Sequence, residues 1–190
     1  CHGYIDIIKI LLQDPRVDPG VNNNKAIRFA CEARRIDAVR LLLQDSRVDP
    51  SDSNNEAIRR ASLDGHIELA RLLLQDPRVD PSDWNNQSIQ WTAQEGYTEI
   101  VELLLQDHRV DPSANDNHAI QRASRDGHTE VVRLLLQDPR VDPSANGNTS
   151  ILVSSHNGHT EVVRMLLQDP RVNSGVNNNY AIQWASENGH

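Results

Sequence analysis

Apolar and polar positions alternate along the chain with the spacing of short amphipathic helices. Between residues 117 and 147, one stripe comprises Ala119, Ile120, Ala123 and Ser124, and a second comprises Val131, Val132, Leu135 and Leu136. This spacing predicts two helices separated by Gly127, a residue that adopts positive φ without a Cβ clash. Asn117 is predicted to cap the first helix, and Asp138-Pro139 to end the second. Helices this short need neighbours to be stable, so packing between successive pairs must supply the burial.

This helix pair repeats along the whole chain with a period of 31 residues. The string Leu-Leu-Gln-Asp begins at Leu11, Leu42, Leu73, Leu104, Leu135 and Leu166. Glycine keeps the same period at Gly3, Gly65, Gly96, Gly127, Gly158 and Gly189, and Arg34 replaces it in one repeat. A period of this size indicates a stacked array in which each repeat contacts its neighbours. The sequence therefore predicts a repeat solenoid built only from helices.

The repeated residues resemble the ankyrin family. Gly127-His128-Thr129-Glu130-Val131-Val132-Arg133-Leu134-Leu135-Leu136 is similar to the second helix of an ankyrin repeat, and Ala119-Ile120-Gln121-Arg122-Ala123-Ser124 is similar to a relaxed form of its first-helix motif. The resemblance covers the whole chain and implies an all-α ankyrin-type solenoid of helix-turn-helix units joined by short turns or hairpin-like connections. The period is shorter than the usual one of about 33 residues, and the missing residues fall in the connections.

The phase of the repeat predicts where each unit begins and ends. We expect one array over residues 1–190, with full repeats at 24–54, 55–85, 86–116, 117–147 and 148–178 and partial repeats at 1–23 and 179–190. Natural arrays usually end in atypical capping repeats with a polar outer face, and neither end of this chain is atypical. We therefore expect a fragment of a longer array. Amide exchange should show fraying from Cys1 to Leu12 and from Asn179 to His190.

Charge and composition narrow the classes of partner. The chain has 19 basic and 27 acidic residues, a net charge of −8, which argues against broad binding to nucleic acid or anionic membranes. No apolar run approaches the roughly 18 residues that a membrane span needs. Cys1 and Cys31 form neither a disulfide framework nor a zinc motif, which favours an intracellular, cytoplasmic location. The chain does not begin with Met, so we expect the native N-terminus to be missing. We expect a monomer.

The histidines and aspartates follow the repeat rather than a catalytic or metal-binding motif. His66, His128, His159 and His190 follow the turn glycine, and Tyr4 and Tyr97 take the same position. A metal ligand would not alternate with tyrosine, and the resemblance implies that these histidines bond the backbone of the inter-helix turn. The aspartates beside proline recur in nearly every repeat, as turn residues do. The arginine of each Asp-x-Arg string should form an exposed ion pair worth under about 1 kcal/mol. We therefore expect no catalytic, cofactor or metal site, and no enzymatic activity.

Functional residues are expected where the repeats differ from one another. One column of the first helix reads Phe29, Arg60, Trp91, Arg122, Val153 and Trp184, and Trp84 lies at a connection tip. Arg122 lies about 200° around the helix from Ile120, so this column points away from the core. The resemblance implies that the column lines a concave groove. Trp and Arg dominate binding hot spots, so the candidate partner-binding residues are Phe29, Arg60, Trp84, Trp91, Arg122 and Trp184. Alternatively, Phe29 and Trp91 fill gaps between neighbouring first helices.

Two hypotheses of function follow. In the first, the array is a non-enzymatic scaffold that binds a partner protein through the groove and the connection tips. In the second, it is a structural spacer in a larger protein, with function outside this segment, as any catalytic domain would also have to be.

Arg34-Arg35, which replaces Gly-His, forces Arg34 into left-handed backbone if the turn keeps its shape. The two arginines could alternatively be a local site for an acidic partner.

Overall fold

The computed structural model describes residues 3–190, apart from the side chain of Asn178. This part of the chain forms helices and turns and contains no strand. The helices are α1 (Gly3–Gln13), α2 (Val21–Glu32), α3 (Ile36–Leu43), α4 (Asp52–Leu63), α5 (Ile67–Leu74), α6 (Asp83–Glu95), α7 (Thr98–Leu105), α8 (Ala114–Asp126), α9 (Thr129–Gln137), α10 (Ala145–His156), α11 (Thr160–Leu166) and α12 (Val176–Glu187). The all-α prediction is confirmed. Two compact units divide the chain after Trp84, unit 1 before this point and unit 2 from Asn85 onward.

Unit 1 is built from helix pairs. The inner helices α2 and α4 pack side by side, and each packs on the outer helix that follows it, α3 or α5. The outer helices also contact one another in chain order, α1 with α3 and α3 with α5. Ile27 and Ile58 of the inner helices and Val39 and Leu73 of the outer helices are at most 1% exposed. Burial of these repeated aliphatic side chains is the main stabilising contribution.

Unit 2 repeats the same arrangement. The inner helix α10 packs between α8 and α12, and the outer helices α7, α9 and α11 contact one another in order. The predicted core stripe of Ala119, Ile120, Ala123 and Ser124 is fully buried, as are Val131, Val132 and Leu135. Leu136 is only half-buried. The turn predicted between two helices at Gly127 is present, because that glycine adopts φ 78° at the end of α8.

The predicted cap at Asn117 is wrong. Asn115, Asp116 and Asn117 all have left-handed backbone, with φ between 56° and 62°, so one left-handed turn precedes the right-handed part of α8. The side chain of Asn117 leaves its own helix and accepts a hydrogen bond from the backbone N–H of Asp142 in the next repeat, at 2.7 Å. Asparagine suits this position because it tolerates left-handed backbone and carries an amide that can bond elsewhere.

The same forward hydrogen bond recurs in both units. The asparagine side chain at this position accepts from the backbone N–H of the residue 25 positions later in Asn24–Asp49, Asn55–Asp80, Asn86–Asp111, Asn117–Asp142 and Asn148–Asn173, each at 2.7 Å. These asparagines are at most 9% exposed. Because a buried amide needs its partner, the bond fixes the spacing between successive repeats.

The Asp-x-Arg strings also join successive repeats. The predicted ion pairs form, as in Arg47 with Asp45 at 2.6 Å, and the hydrogen bonds from Arg47 lower the pKa of Asp45 to about 2. Arg47 additionally donates to the carbonyl oxygens of Val17 and Leu12 in the preceding repeat, both at 2.8 Å. In unit 2, Arg171 donates likewise to Val141 at 2.8 Å. The arginine is thus a bridge between repeats as well as half of a local pair.

Candidate functional site

The variable side chains share one face of each inner helix. In α2 this face carries Lys25, Arg28, Phe29 and Glu32, spaced i, i+3, i+4 and i+7 along the helix. Ile27 of the same helix points into the core and is 1% exposed. We call these four positions, and their equivalents in the other inner helices, the inner-helix face. It contains the candidate column of Phe29, Arg60, Trp91, Arg122, Val153 and Trp184, and Trp84 lies next to it at the start of α6.

In unit 1 the candidate phenylalanine is exposed. Phe29 is 56% exposed, and the Lys25 ammonium lies 4.9 Å from its ring centroid. Next to it, Arg28 forms a 2.6 Å ion pair with Glu56 of α4. The alternative that Phe29 fills a gap between inner helices is therefore wrong. The ring instead forms an exposed apolar spot beside the Lys25 ammonium.

The candidate tryptophan of the connection is also exposed. Trp84 is 55% exposed and adopts φ 53°, which is unfavourable for a bulky residue. The guanidinium carbon of Arg59 lies 4.4 Å from the centre of its ring, a cation–π arrangement. Arg60, the third candidate in unit 1, has a half-exposed side chain at 3.9 Å from Asp64. Unit 1 therefore presents two rings, each with a cation beside it.

In unit 2 the candidates lie deeper. Trp91 and Arg122 are half-buried. The Arg122 guanidinium donates a hydrogen bond to the side chain of Gln94, which lies on the same helix as Trp91. The Nε of Arg122 is buried and has no hydrogen-bond partner. Burial lowers the pKa of this guanidinium, and the neighbouring Arg125 adds to the effect. An unpaired donor buried in this way costs free energy, so Arg122 is held at this position at some expense of stability.

The last candidate borders a depression. Trp184 stacks on Tyr180 with ring centroids 5.5 Å apart, and His156 meets its edge at 5.6 Å. The depression has a volume of 390 Å³ and is lined by Trp184 and His156 together with Arg125, Val153 and Asn157. Two members of the predicted column, Val153 and Trp184, are thus brought together on α10 and α12. An apolar floor with an arginine and an amide at its edge is suited to a side chain of a partner protein.

Sequence reasoning missed one set of polar residues on this face. The residue that precedes the variable column is Arg28, Arg59, Gln90 or Gln121 in four of the repeats. Each donates to a backbone carbonyl of its left-handed turn, in Arg28–Asn23 (2.9 Å), Arg59–Asn54 (2.8 Å), Gln90–Asn85 (2.8 Å) and Gln121–Asp116 (2.5 Å). The repeated presence of a long side chain that can donate was the signal available in the sequence. These residues hold the turn that carries the connection tips.

The turn histidines and Cys31, for which the sequence predicted no functional site, lie in structural positions. His128 Nε2 lies 2.7 Å from the carbonyl oxygen of Gln94, and His159 Nε2 lies 2.8 Å from that of Arg125. Two of the four histidines thus bond backbone as expected, but at the end of the first helix of the preceding repeat rather than in their own turn. Burial raises the pKa of the Cys31 thiol to about 12, so this thiol is unreactive.

Within residues 3–190, no three His, Cys, Asp or Glu side chains lie close enough to hold a metal ion. The helices described here all lack the length and apolar character needed to span a bilayer.

Comparison with known proteins agrees with the repeat. A family model described as ankyrin repeats in three copies matches residues 1–83, 60–146 and 89–178. The three matches overlap and together extend over most of the chain. No curated protein matches the sequence.

Proposed function

Because the chain belongs to the ankyrin-repeat family, we propose that it is a non-enzymatic scaffold that binds a partner protein through the inner-helix face and the connection tips. Ankyrin repeats commonly mediate protein–protein interaction, and this family is typically non-enzymatic. The proposal assigns partner contact to Phe29, Arg60, Trp84, Trp91, Arg122 and Trp184. We further propose that the chain acts as a monomer in the cytoplasm.

One observation carries the proposal. Phe29 and Trp84 are more than half exposed, whereas the inner-helix isoleucines of unit 1, Ile27 and Ile58, are at most 1% exposed. Exposed rings at variable positions do little for the packing of the array. Aromatic rings with adjacent guanidinium groups supply most of the energy at protein interfaces, because they bury large areas and also form directed polar contacts.

A paired capture experiment tests the proposal. One bait is the wild-type chain, and the other carries Phe29→Ala, Arg60→Ala and Trp84→Ala. All three side chains are at least half exposed, so both baits should have the same circular dichroism spectrum and the same unfolding midpoint. A protein captured by the wild type is then purified and titrated against both chains. We expect the triple variant to bind it at least about 30-fold more weakly, which corresponds to a loss of about 2 kcal/mol.

The matched control changes exposed arginines elsewhere. Arg133→Ala with Arg164→Ala alters the outer helices α9 and α11, whose arginine side chains are 51% and 64% exposed. This control should bind as the wild type does. Equal affinity of the wild type and the triple variant for every captured protein would contradict the proposal.

The alternative function is a spacer in a larger protein. It is supported by the near-identity of the repeats, since a spacer needs regular stacking and no variable surface. A spacer tolerates the triple variant and responds to a change in the number of repeats. Removing residues 117–147, one full period, should therefore impair a spacer, whereas the triple variant should impair a binding scaffold.

A further inference from the structure

The arginines of the outer helices pair differently in the two units. In unit 2, Arg133 lies 3.1 Å from Glu130, and Arg164 lies 3.4 Å from Glu161. Arg40 of α3 and Arg71 of α5 occupy the same position of the repeat in unit 1, and each has an acidic residue three positions earlier. Neither forms an ion pair with any described residue, and neither do Arg34 and Arg35. Unit 1 therefore presents four guanidinium groups that form no ion pair among the residues that the structure describes.

These arginines border two depressions that share one residue. The first has a volume of 570 Å³, and its lining includes Tyr4, Ile5, Ile8, Arg34, Arg35 and Ile36. The second has a volume of 370 Å³ and is lined by Ile36, Arg40, Glu68, Arg71, Leu72 and Gln75. The shared residue is Ile36, which is half-buried; Arg34 and Arg35 line the first depression, and Arg40 and Arg71 line the second. We call Arg34, Arg35, Ile36, Arg40 and Arg71 the outer basic surface.

The sequence of unit 1 departs from the repeat at this surface. The position of Arg35 is held in unit 2 by Tyr97, His128 and His159, and the position of Ile36 by Thr98, Thr129 and Thr160. In unit 2 the histidine ring lies against the glycine of the preceding turn. A flexible guanidinium does not fill the space of a ring, and isoleucine makes the centre of the surface apolar where threonine is polar. The substitutions thus supply both the charge and the apolar centre.

We propose that the outer basic surface binds an acidic segment of a partner protein, with an aliphatic side chain on Ile36 and carboxylates on the arginines. Guanidinium groups bind carboxylates through paired, charge-assisted hydrogen bonds, so a segment with glutamates on both sides of a leucine matches the surface. Asp37 and Glu68 lie beside the arginines and repel carboxylates placed on them, which restricts the position of the segment. This surface is on α3 and α5 and uses none of the residues assigned to the inner-helix face.

The charge distribution favours unit 1 as the docking region for an acidic partner. Residues 1–84 hold 12 basic and 14 acidic side chains, a net charge of −2, and residues 85–190 hold 7 and 13, a net charge of −6. An acidic segment is therefore repelled less by unit 1 than by unit 2. Local attraction at the arginines then determines where it binds.

Fluorescence anisotropy of a labelled peptide tests this proposal. The probe is a fluorescein-labelled Glu-Glu-Leu-Glu-Glu-Leu-Glu peptide, and the comparison probe has Gln in place of every Glu. The full chain should bind the Glu peptide at least about tenfold more tightly than the Gln peptide, and added salt should weaken the binding. Arg34→Gly with Arg35→His restores the residues of the other repeats and should abolish this preference without loss of stability. Arg40→Gln with Arg71→Gln should also reduce it.

The control variant changes the same repeat position in unit 2. Arg133→Gln with Arg164→Gln removes equivalent arginines that already have acidic partners, so the preference for the Glu peptide should remain. The proposal is overturned if the wild type binds both peptides equally, or if Arg34→Gly with Arg35→His keeps the preference. It is also overturned if the chain binds phosphatidylserine vesicles but not the Glu peptide, since the surface would then recognise a lipid.

Discussion

One inter-helix turn of unit 1, at Arg34, differs from the inter-helix turns of unit 2 in the residue that adopts left-handed backbone. In unit 2 the turn glycine Gly96 has φ 75°, and the ring of His128 from the next repeat lies so close that a Cβ on this glycine would be 2.5 Å from Nδ1. His128 also contacts the Gln94 carbonyl at 2.7 Å. In unit 1 the turn at Gly65 keeps its glycine at φ 71°, but the turn before it contains Arg34 at φ 54°. His66, which follows the Arg34 turn by one repeat, makes no such hydrogen bond within the described residues.

This difference shows that the turn glycine has two separate roles. It adopts left-handed backbone, which a residue with a Cβ does only at a cost, and it leaves space for the histidine ring of the next repeat. Arg34 still adopts left-handed backbone, although under strain, but it does not leave space for the histidine ring. One substitution therefore weakens a turn and the junction with the following repeat, while it supplies charge to the outer basic surface.

The largest expected loss of stability comes from replacing glycines of unit 2 with alanine, and two such substitutions separate the two roles. Gly127→Ala places a Cβ on a residue with left-handed backbone, 2.5 Å from the Nδ1 of the His159 ring. Gly147→Ala also places a Cβ on left-handed backbone, but no other atom lies within 4 Å of that Cβ. We expect the first change to reduce the free energy of unfolding by about 3 kcal/mol and the second by about 1 kcal/mol. Urea denaturation measures both. Equal losses would mean that the histidine ring moves aside freely and that backbone strain alone matters.

A smaller effect of opposite sign is expected in unit 1. Arg34→Gly removes the strain of φ 54° and should raise the free energy of unfolding by about 1 kcal/mol. It also opens the space into which the His66 ring can move. His66→Ala should therefore cost more in the Arg34→Gly background than in the wild type. An unchanged midpoint for Arg34→Gly would show that the turn is not strained in solution.

The smallest expected effect is a pH dependence at the same turn. Burial lowers the pKa of His66, the charge of Arg34 lowers it further, and Asp64 opposes them. Because the folded-state pKa lies below the unfolded value of about 6.5, the wild type should lose stability as the pH falls through this region. His66→Gln removes the titrating group and should flatten the change between about pH 8 and 5. An equally steep change in His66→Gln would show that another group titrates in this region.

The core of both units could be predicted from the sequence because its pattern recurs. Ala119, Ile120 and Val131 are buried where the helical spacing placed them, and Gly127 ends its helix. Each repeat faces neighbours of nearly the same sequence, so a stripe that is apolar in every repeat is buried between repeats. Val141, which lies in the connection as the lone apolar residue of its stretch, is buried for the same reason.

The candidate site was predictable only in its position on the helix. Spacing placed Phe29 and Trp91 in one column, but Phe29 is 56% exposed and Trp91 is half-buried. Exposure depends on the side chains that neighbouring helices bring to that position, and these differ between repeats. The column that contains Arg28 and Gln121 was missed because the left-handed turn that it bonds was not anticipated.

The sequence by itself determined the period, the helix pairs, the family and the buried columns, since these follow from hydrophobic spacing and from glycine and proline chemistry. The tertiary structure decided which polar side chains join one repeat to the next. Asn117 could have capped its own helix, but its amide bonds the backbone of Asp142 instead. Local patterns cannot reveal such a choice, because the competing partner is brought near only when successive repeats pack together.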